Sequence, residues 1–391
     1  MSGRADIAIV SVLGLDANVS ISSMVPSDNE QVSTRVGALD LLRLVAVLGV
    51  VAYHYGFRGP TVGNATYVAI PEIAWFTEYG FLGVPAFFVI SGFVIAYSAA
   101  GRTATGFAIA RFSRIYPTFL LCMTLTFLTV LMLGKPDFST GASQWIANLF
   151  IAAPALHHPY MDSAYWSLVI EVTFYIWVTA LIGAGLFPRR IDAIVLVWLC
   201  ISMANELTID APFMEKIFLA DDAGYFSAGL MIYEFYRGRR DLMLYSILGL
   251  STGVAIFHAV HSLAWLRSHS GTTFDAWIVA AICLGSIIII LLATQIERLP
   301  LPPRIVIAAG GITYPLYLLH QQIGYTIFMR MAPVNAKLAV TAIIIGIGFV
   351  SWILWRYVEG PLQNAVRSRL TGWATRLGWP SKSKLILPSR P

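Results

Sequence analysis

The sequence predicts an all-α, polytopic membrane protein with about ten transmembrane helices and both termini in the cytoplasm. Its residues are 57% hydrophobic and only 12% charged, and its mean hydropathy is +0.72. A soluble domain has about 25% charged residues, so a soluble fold is excluded. The net charge of +5 comes from basic residues scattered through short loops and the tail. Membrane topology explains that distribution better than a nucleic-acid partner does.

The first observation behind this fold class is a series of apolar stretches close to the roughly 20 residues that a helix needs to cross a bilayer. A further apolar run at 144–153 is too short to cross, so we expect it to lie in the interface or to re-enter. The ten predicted spans are 37–57, 80–99, 116–133, 164–186, 191–206, 222–236, 242–262, 275–294, 305–329 and 337–357.

The second observation is the distribution of basic residues between alternate connections. The N-terminus, every second loop and the tail together hold 19 Lys and Arg residues, and the opposite connections hold six. The excess marks the cytoplasmic side, which places both termini there. We expect a multi-pass protein of the inner (plasma) membrane. We divide the chain into a mobile cytoplasmic extension (1–36), a membrane domain (37–362) and a basic cytoplasmic tail (363–391). A start at Met24 instead of Met1 stays open.

The first predicted span carries three ionisable residues, Asp40, Arg43 and His54. Each such group costs roughly 2.5 to 3.5 kcal/mol near the centre of a membrane helix, so a function is expected of them. Arg43 and His54 would lie roughly 16 Å apart along the helix axis and on one face. Alternatively, Asp40 pairs with Arg43 near the helix end and His54 lies in the interface. This span alone does not decide between the two.

Charged residues also mark the third and fourth spans. Arg111 and Arg114 are spaced i, i+3 before the third span, and a pair of guanidinium groups matches phosphate oxygens. Contact with lipid headgroups is the alternative for this pair. In the fourth span, Glu171 and Tyr175 are spaced i, i+4, so the tyrosine hydroxyl can bind the carboxylate.

His320 lies in the outer half of the ninth span, at the depth predicted for His54 and Glu171, although equal depth does not establish contact. A single intramembrane histidine is as often structural as catalytic. His258 and His261 are spaced i, i+3 and could bind a metal, but no third ligand is evident. We therefore expect no metal site.

Six motifs in order give the chain a resemblance to a known family. The stretches are Leu39 to Arg43 followed by His54, Phe87 to Phe93, Arg111 to Pro117, Trp166 to Tyr175, Tyr314 to His320, and Val358 to Pro361. Together they resemble the acyltransferase-3 family of integral-membrane O-acyltransferases, over about residues 37 to 362. A Leu-Leu-Arg sequence stands where the family usually has Gly-Leu-Arg, and Arg43 keeps its place.

The resemblance implies a ten-span bundle that uses acyl-coenzyme A (acyl-CoA) on the cytoplasmic side and acylates a hydroxyl group, commonly of a sugar. Arg43 and His54 match the family's Arg-x10-His signature. Arg111 and Arg114 match its Arg-x-x-Arg element, which is associated with the coenzyme A phosphates. Some members carry a soluble hydrolase-like domain after the spans. We expect none here, so the membrane unit would complete the transfer alone.

These observations predict transfer of an acyl group, acetyl above all, from acyl-CoA to a hydroxyl of a carbohydrate or glycolipid. His54 is the predicted general base, Glu171 orients His54 or the acceptor, and Arg43 holds part of the donor. Asp40, Tyr175 and His320 are additional candidates. The acceptor class stays open between lipopolysaccharide, exopolysaccharide, a lipid-linked sugar, a secreted glycolipid and a macrolide.

Two other function classes compete with acyl transfer. Charged groups inside a bundle also mark the pathway of a transporter or of a flippase for glycan precursors. Inverted repeats would favour that class, and the two sets of five spans show no such correspondence. A scaffolding role would leave Arg43, His54 and Glu171 without a purpose.

Overall fold

The computed structural model describes residues 36–62, 65–68, 70–332 and 335–379. The predicted N-terminal extension, apart from Val36, lies outside these residues, as do the possible start at Met24 and the last part of the predicted tail. The following paragraphs concern the described residues only.

The chain is helical almost throughout, with one two-stranded hairpin on the connection after the first helix. In that hairpin, Thr61 pairs with Thr66 and Val62 with Ala65 in antiparallel register. The helices and strands are, in order, α1 (Gly37–Tyr53), β1 (Thr61–Val62), β2 (Ala65–Thr66), α2 (Ala74–Thr77), α3 (Gly83–Ala99), α4 (Ala104–Leu133), α5 (Ala142–Asn148), α6 (Trp166–Gly183), α7 (Ile191–Ala204), α8 (Pro212–Ile217), α9 (Ala223–Tyr236), α10 (Leu242–His261), α11 (Leu263–Ser270), α12 (Ala276–Ala293), α13 (Pro303–Leu319), α14 (Gln322–Met331), α15 (Ala336–Ile353) and α16 (Gly360–Arg376).

Short segments of tighter or wider helix join several of these elements. Three of them are π-helical and extend α1, α7 and α15, namely His54–Arg58, Asn205–Ile209 and Leu354–Glu359. The others are 3₁₀ turns at Pro71–Ile73, Glu78–Leu82, Ala153–Leu156, Ser163–Tyr165 and Ala220–Asp222. The π-helical turns are the wider ones, and such turns are rare and often lie at functional sites.

Eight helical segments of the described chain are long and apolar enough to cross a membrane. The two remaining predicted spans correspond to α9, with 14 residues, and α13, with 17. At about 1.5 Å per residue these helices are shorter than the ~30 Å hydrocarbon core. The predicted all-α, polytopic class is confirmed, and the count of ten spans and their orientation stay predictions.

Three predicted spans differ in extent from the observed helices. The ninth, expected at 305–329, is broken into α13 and α14, with His320 and Gln321 between them. The third begins at Ala104 rather than at residue 116, which places both candidate arginines inside α4. The last helical segment runs without interruption from Ala336 to Arg376 and so continues past the predicted domain boundary at residue 362.

The site depends on the packing of α1, which contacts α3 on one side and α13 on the other. Helix α3 in turn lies tightly against α9, because glycines meet at their crossing. A Cβ atom on Gly229 would lie 2.1 Å from the carbonyl oxygen of Val89, and one on Gly92 would lie 2.3 Å from that of Phe226. Small residues at such a crossing let two backbones approach closely. Helices α1, α3, α4, α6 and α13 supply most of the candidate site.

Candidate active site

His54 begins the π-helical turn that follows α1, and it is half-buried. Its Nδ1 atom lies 2.9 Å from the hydroxyl of Tyr325 on α14. The same hydroxyl lies 3.3 Å from the backbone carbonyl oxygen of His54. The ring of His320 stands beside the ring of His54, and their centroids are 5.1 Å apart. The first and ninth predicted spans are therefore neighbours, and their histidines meet.

His320 lies at the break between α13 and α14 and is fully buried. Its Nδ1 atom lies 2.6 Å from the carbonyl oxygen of Tyr317, which identifies Nδ1 as the protonated nitrogen. Its Nε2 atom is buried and has no hydrogen-bond partner in the described structure. This nitrogen therefore keeps a lone pair within the protein interior.

The backbone groups freed by the break are bound by side chains from other segments. The hydroxyl of Tyr55 donates to the carbonyl oxygen of His320 at 2.7 Å, and that of Tyr165 donates to the carbonyl oxygen of Leu318 at 3.2 Å. Gly324 leaves room for the hydroxyl of Tyr55, since a Cβ atom there would overlap it. These contacts hold the histidine pair, His54 and His320, in place.

Asp162 binds the backbone on the C-terminal side of the break. Its Oδ2 atom accepts the backbone N–H of Gln322 at 2.7 Å, and its Oδ1 atom accepts that of Ala164 at 2.9 Å. Asp162 is fully buried in the loop before α6. Burial raises the pKa of its carboxyl group to about 7, although the two backbone N–H donors act in the opposite direction. One carboxylate thus caps two helical segments.

A cavity of about 1500 Å³ opens beside the histidine pair. His54, Tyr317 and Tyr325 lie in its wall, and His320 does not. The volume exceeds that of a typical small-molecule pocket, which is about 300 to 1,000 Å³. Of the two histidines, only His54 can therefore meet a molecule held in this cavity without a rearrangement.

A second group of candidates gathers around α4 and α6, and we call Arg43, Arg111 and Arg114 the arginine cluster. Arg43 lies 3.5 Å from the carboxylate of Asp40, the pair that the spacing predicts. It is also within electrostatic reach of Arg114 and Glu171. Like charges gathered in a bundle repel each other, so such a cluster favours an anion between its members.

Glu171 and Tyr175 belong with the arginine cluster rather than with His54. The hydroxyls of Ser91 and Tyr175 both donate to Oε1 of Glu171, that of Ser91 at 3.1 Å. The guanidinium carbon of Arg111 stands 5.9 Å from the centre of the Tyr175 ring. Among the described residues, the hydrogen bond of the His54 ring is with Tyr325 and none joins it to Glu171.

The two arginines of α4 differ in their surroundings. Arg111 is partly buried, and its Nε atom has no hydrogen-bond partner in the described structure. Arg114 is exposed, and its carbonyl oxygen accepts a hydrogen bond from the amide of Gln363 at 3.1 Å. Gln363 also donates to Glu359, so the predicted tail packs against this part of α4. The cluster has donor groups left over for an anionic ligand.

Sequence reasoning missed four residues that shape the site: Ser91, Asp162, Tyr317 and Tyr325. The hydroxyl of Tyr317 lies 2.7 Å from that of Ser167 and binds the start of α6. Ser91 and Tyr317 lie in two of the six motif stretches, and Asp162 precedes a helical segment and matches a capping residue. The tyrosines sit in apolar helices, where periodicity does not distinguish them from core residues.

His258 has two carboxylate neighbours that the sequence did not reveal. Glu206 and Asp221 place carboxylate oxygens within 4.8 Å of the ring nitrogen of His258 and of each other. All three residues line the same cavity as His54.

The chain is similar in sequence to one protein family and to two named proteins. A family model described as an acyltransferase domain matches residues 36–356. An acyltransferase of Streptomyces mycarofaciens, MdmB, is 28% identical over 200 residues, which cover 48% of this chain and 48% of that protein. The O-acetyltransferase OatA of Staphylococcus aureus is 25% identical over 374 residues, which cover 83% of this chain and 57% of that protein.

The chain spans about half the length of the curated relatives that it matches. No solved structure matches it.

Proposed function

We propose that this chain, which belongs to the acyltransferase-3 family, moves an acyl group from acyl-CoA to a hydroxyl of a carbohydrate or glycolipid. The observation that carries this proposal is the position of His54 in the wall of the large cavity, held by Tyr325 and backed by His320. The acyl group is an acetyl group in the simplest form of the proposal, and the membrane is the cell's inner membrane. The names of the relatives support transfer of an acyl or acetyl group.

His54 is the proposed general base. If the hydroxyl of Tyr325 gives its hydrogen to the carbonyl oxygen of His54, 3.3 Å away, it can accept the N–H of Nδ1. Nε2 then carries the lone pair, as a base requires. An imidazole suits this role because its ordinary pKa lies near ambient pH.

The chemical step breaks one bond and forms one. Nε2 of His54 takes the proton of the acceptor hydroxyl while its oxygen attacks the carbonyl carbon of the thioester. The new C–O bond forms, the C–S bond breaks, and coenzyme A leaves as a thiol once it has received a proton. The imidazolium of His54 can supply that proton and so return to its neutral form.

The arginine cluster is the proposed donor site. Guanidinium groups bind phosphate oxygens through paired N–H donors, and acyl-CoA carries several phosphate groups. Arg111 offers an Nε–H without a partner, and Arg114 is exposed to an approaching ligand. Arg43 lies roughly 16 Å from His54 along α1, so an extended pantetheine arm can connect phosphates at the cluster with a thioester at His54.

Glu171 has a revised part in this proposal. Its contacts with Ser91 and Tyr175, and its proximity to Arg43 and Arg111, support a part in the proposed donor site. It orients the guanidinium groups there. The predicted alternative, in which Glu171 orients His54, lacks a hydrogen bond between the two residues in the described structure.

Substitution of His54 tests the proposal. His54→Ala should bind acyl-CoA as the parent protein does while transfer falls by about 10² to 10⁴, the usual contribution of a general base. His54→Gln keeps a hydrogen-bonding group but accepts no proton at neutral pH, so it should be equally slow. Donor binding by equilibrium dialysis shows that each variant is folded. Near-normal transfer by His54→Gln would refute the role as a base.

A further inference from the structure

Three helical elements meet at a group of acidic and imidazole side chains. Glu206 lies in the π-helical turn after α7, Asp221 in the 3₁₀ turn before α9, and His258 in the last turns of α10. One ligand atom from each lies within 4.8 Å of the others. We propose that these three residues bind a divalent metal ion of the zinc type in the wall of the cavity that carries His54.

The protonation of His258 follows from its neighbours. The hydroxyl of Ser202 has a single hydrogen, which it donates to the carbonyl oxygen of Ala220 at 2.5 Å. The same oxygen of Ser202 lies 2.9 Å from Nε2 of His258, so it must accept there. Nε2 therefore carries the N–H, and Nδ1 of the neutral ring keeps its lone pair.

That lone pair faces a carboxylate. Nδ1 of His258 lies 3.5 Å from Oε2 of Glu206, and both atoms are electron-pair donors. His258 is 5% exposed, so bulk solvent does not surround its ring. Two buried lone pairs facing each other are unfavourable unless a cation lies between them. The cation is either a proton on Nδ1 or a metal ion.

The distance between His258 and Glu206 favours the metal ion. Zinc binds imidazole nitrogen and carboxylate oxygen at about 2.0 to 2.2 Å, so two ligands of a tetrahedral ion lie about 3.4 Å apart. The observed 3.5 Å is close to that value and is long for a charged hydrogen bond. Imidazole together with carboxylate is also a typical ligand set for zinc.

Ser202 connects two of the three proposed ligands. A histidine that binds a metal usually donates its other ring N–H to an oxygen acceptor, and Ser202 is that acceptor here. Through its bond to Ala220, Ser202 also fixes the turn that carries Asp221. His261 lies 2.8 Å from Oε1 of Glu206 and orients that carboxylate from the exposed side. These contacts of Ser202 and His261 distinguish the group from a chance cluster of acidic residues.

The inferred ion has a structural consequence. It would join the ends of α7 and α10 to the turn that begins α9, three elements that line the cavity. The ion would stabilise that wall. This inference does not depend on acyl transfer, since it rests on the local geometry alone.

Zinc binding by the full chain in detergent tests the inference. The protein is freed of any histidine tag, stripped with a chelator, and titrated with zinc sulfate by calorimetry, with bound metal measured after dialysis. We expect an equimolar amount of zinc to be retained and the melting temperature to rise with added zinc, because a ligand of the native state stabilises it. An absence of retained zinc would show that a proton occupies the space between His258 and Glu206, and would overturn the inference.

Variants locate the site. Asp221→Asn changes an exposed side chain and His258→Ala removes the buried ligand, and each should abolish retention. Ser202→Ala leaves the ligands in place but removes the acceptor of the His258 N–H, which should weaken zinc affinity about 10- to 100-fold. His157→Ala, an exposed histidine of another loop, is the matched control and should bind zinc as the parent does. Unchanged affinity in both Asp221→Asn and Ser202→Ala would refute the site, whatever the folding of His258→Ala.

Discussion

The hydroxyl of Tyr325 lies 2.9 Å from Nδ1 of His54 and 3.3 Å from the backbone carbonyl oxygen of the same residue. A single side chain therefore contacts both the ring and the backbone of His54. Tyr325 belongs to α14, the short helix after the break at His320, so the break decides where this hydroxyl stands. The proposed tautomer of His54 depends on these two contacts.

Removal of the hydroxyl tests this dependence. Tyr325→Phe should lower turnover by about 2- to 13-fold, since one hydrogen bond contributes roughly 0.5 to 1.5 kcal/mol. Acyl-CoA affinity should be unchanged, because the arginine cluster is not touched. Steady-state kinetics with separate donor-binding measurements checks both. Tyr53→Phe, which removes a hydroxyl from the same cavity wall, is the control and should leave turnover unchanged. An equal loss in both variants would point to a general effect on the cavity.

Glu171→Gln separates the two roles proposed for Glu171. The amide oxygen can still accept from Ser91 and Tyr175, but the negative charge beside the arginine cluster is lost. We expect acyl-CoA to bind more tightly, because the fixed carboxylate no longer competes with the donor phosphates. Turnover should change little. A steep fall in turnover at constant donor affinity would instead indicate that Glu171 orients His54. Ser91→Ala, which removes one hydrogen bond and no charge, is the control.

The arginine cluster makes a quantitative prediction for donor binding. Arg114→Ala should weaken acyl-CoA binding by roughly 1.5 to 3 kcal/mol, the range for a hydrogen bond to a charged group. Arg114→Lys should recover only part of the loss, because lysine lacks the paired donors. Arg189→Ala, an exposed arginine of another loop, is the control and should bind normally. Equal affinity in Arg114→Ala and the control would assign Arg114 to lipid headgroups or topology.

The predicted orientation can be tested by cysteine labelling. Ser139 lies exposed in the connection after α4 that the charge distribution places outside the cell, and Ser368 lies exposed on α16 at the predicted inner side. Cys122 and Cys283 are buried and Cys200 is exposed, so the labelling background needs Cys200→Ser only. An impermeant maleimide added to intact cells should label Ser139→Cys and not Ser368→Cys. The reverse pattern would invert the predicted topology.

Local periodicity predicted the contacts that lie within one helix. Asp40 meets Arg43 at i, i+3, and Tyr175 donates to Glu171 at i, i+4, as the helical repeat requires. The sequence also indicated equal depth for His54 and His320, and the structure adds that their spans touch. The depth of a residue follows from its position in the span. The residues that it meets across the bundle cannot be derived from that position.

The break in the ninth span was not predicted because the run from 305 to 329 is apolar almost throughout. The proline in this region, Pro315, lies inside α13 and not at the break. The polar sequence His320-Gln321-Gln322 was the available signal for a break. The same sequence is equally compatible with a continuous helix that has a polar face. The tertiary partners that stabilise the break, Tyr55 and Asp162, are distant in sequence.

The residues of the proposed metal site could not be brought together from the sequence for the same reason. His258 and His261 share a helix, so their spacing was visible, whereas Glu206 and Asp221 come from two other segments. Sequence spacing can reveal a set of ligands only when a single helix or turn supplies all of them. Turns such as Asn205–Ile209 and Ala220–Asp222 carry no pattern that fixes their orientation.

The break also bears on the order in which this chain is assembled during synthesis. A newly inserted helix surrounded by lipid keeps its backbone hydrogen bonded by running straight, since unpaired groups cost several kcal/mol each in hydrocarbon. The broken form of the ninth span has to wait for Tyr55, Asp162 and Tyr165 to supply those bonds. All three residues precede the ninth span in the chain, so they are already inserted when it emerges. The break can therefore form as soon as the ninth span packs against them.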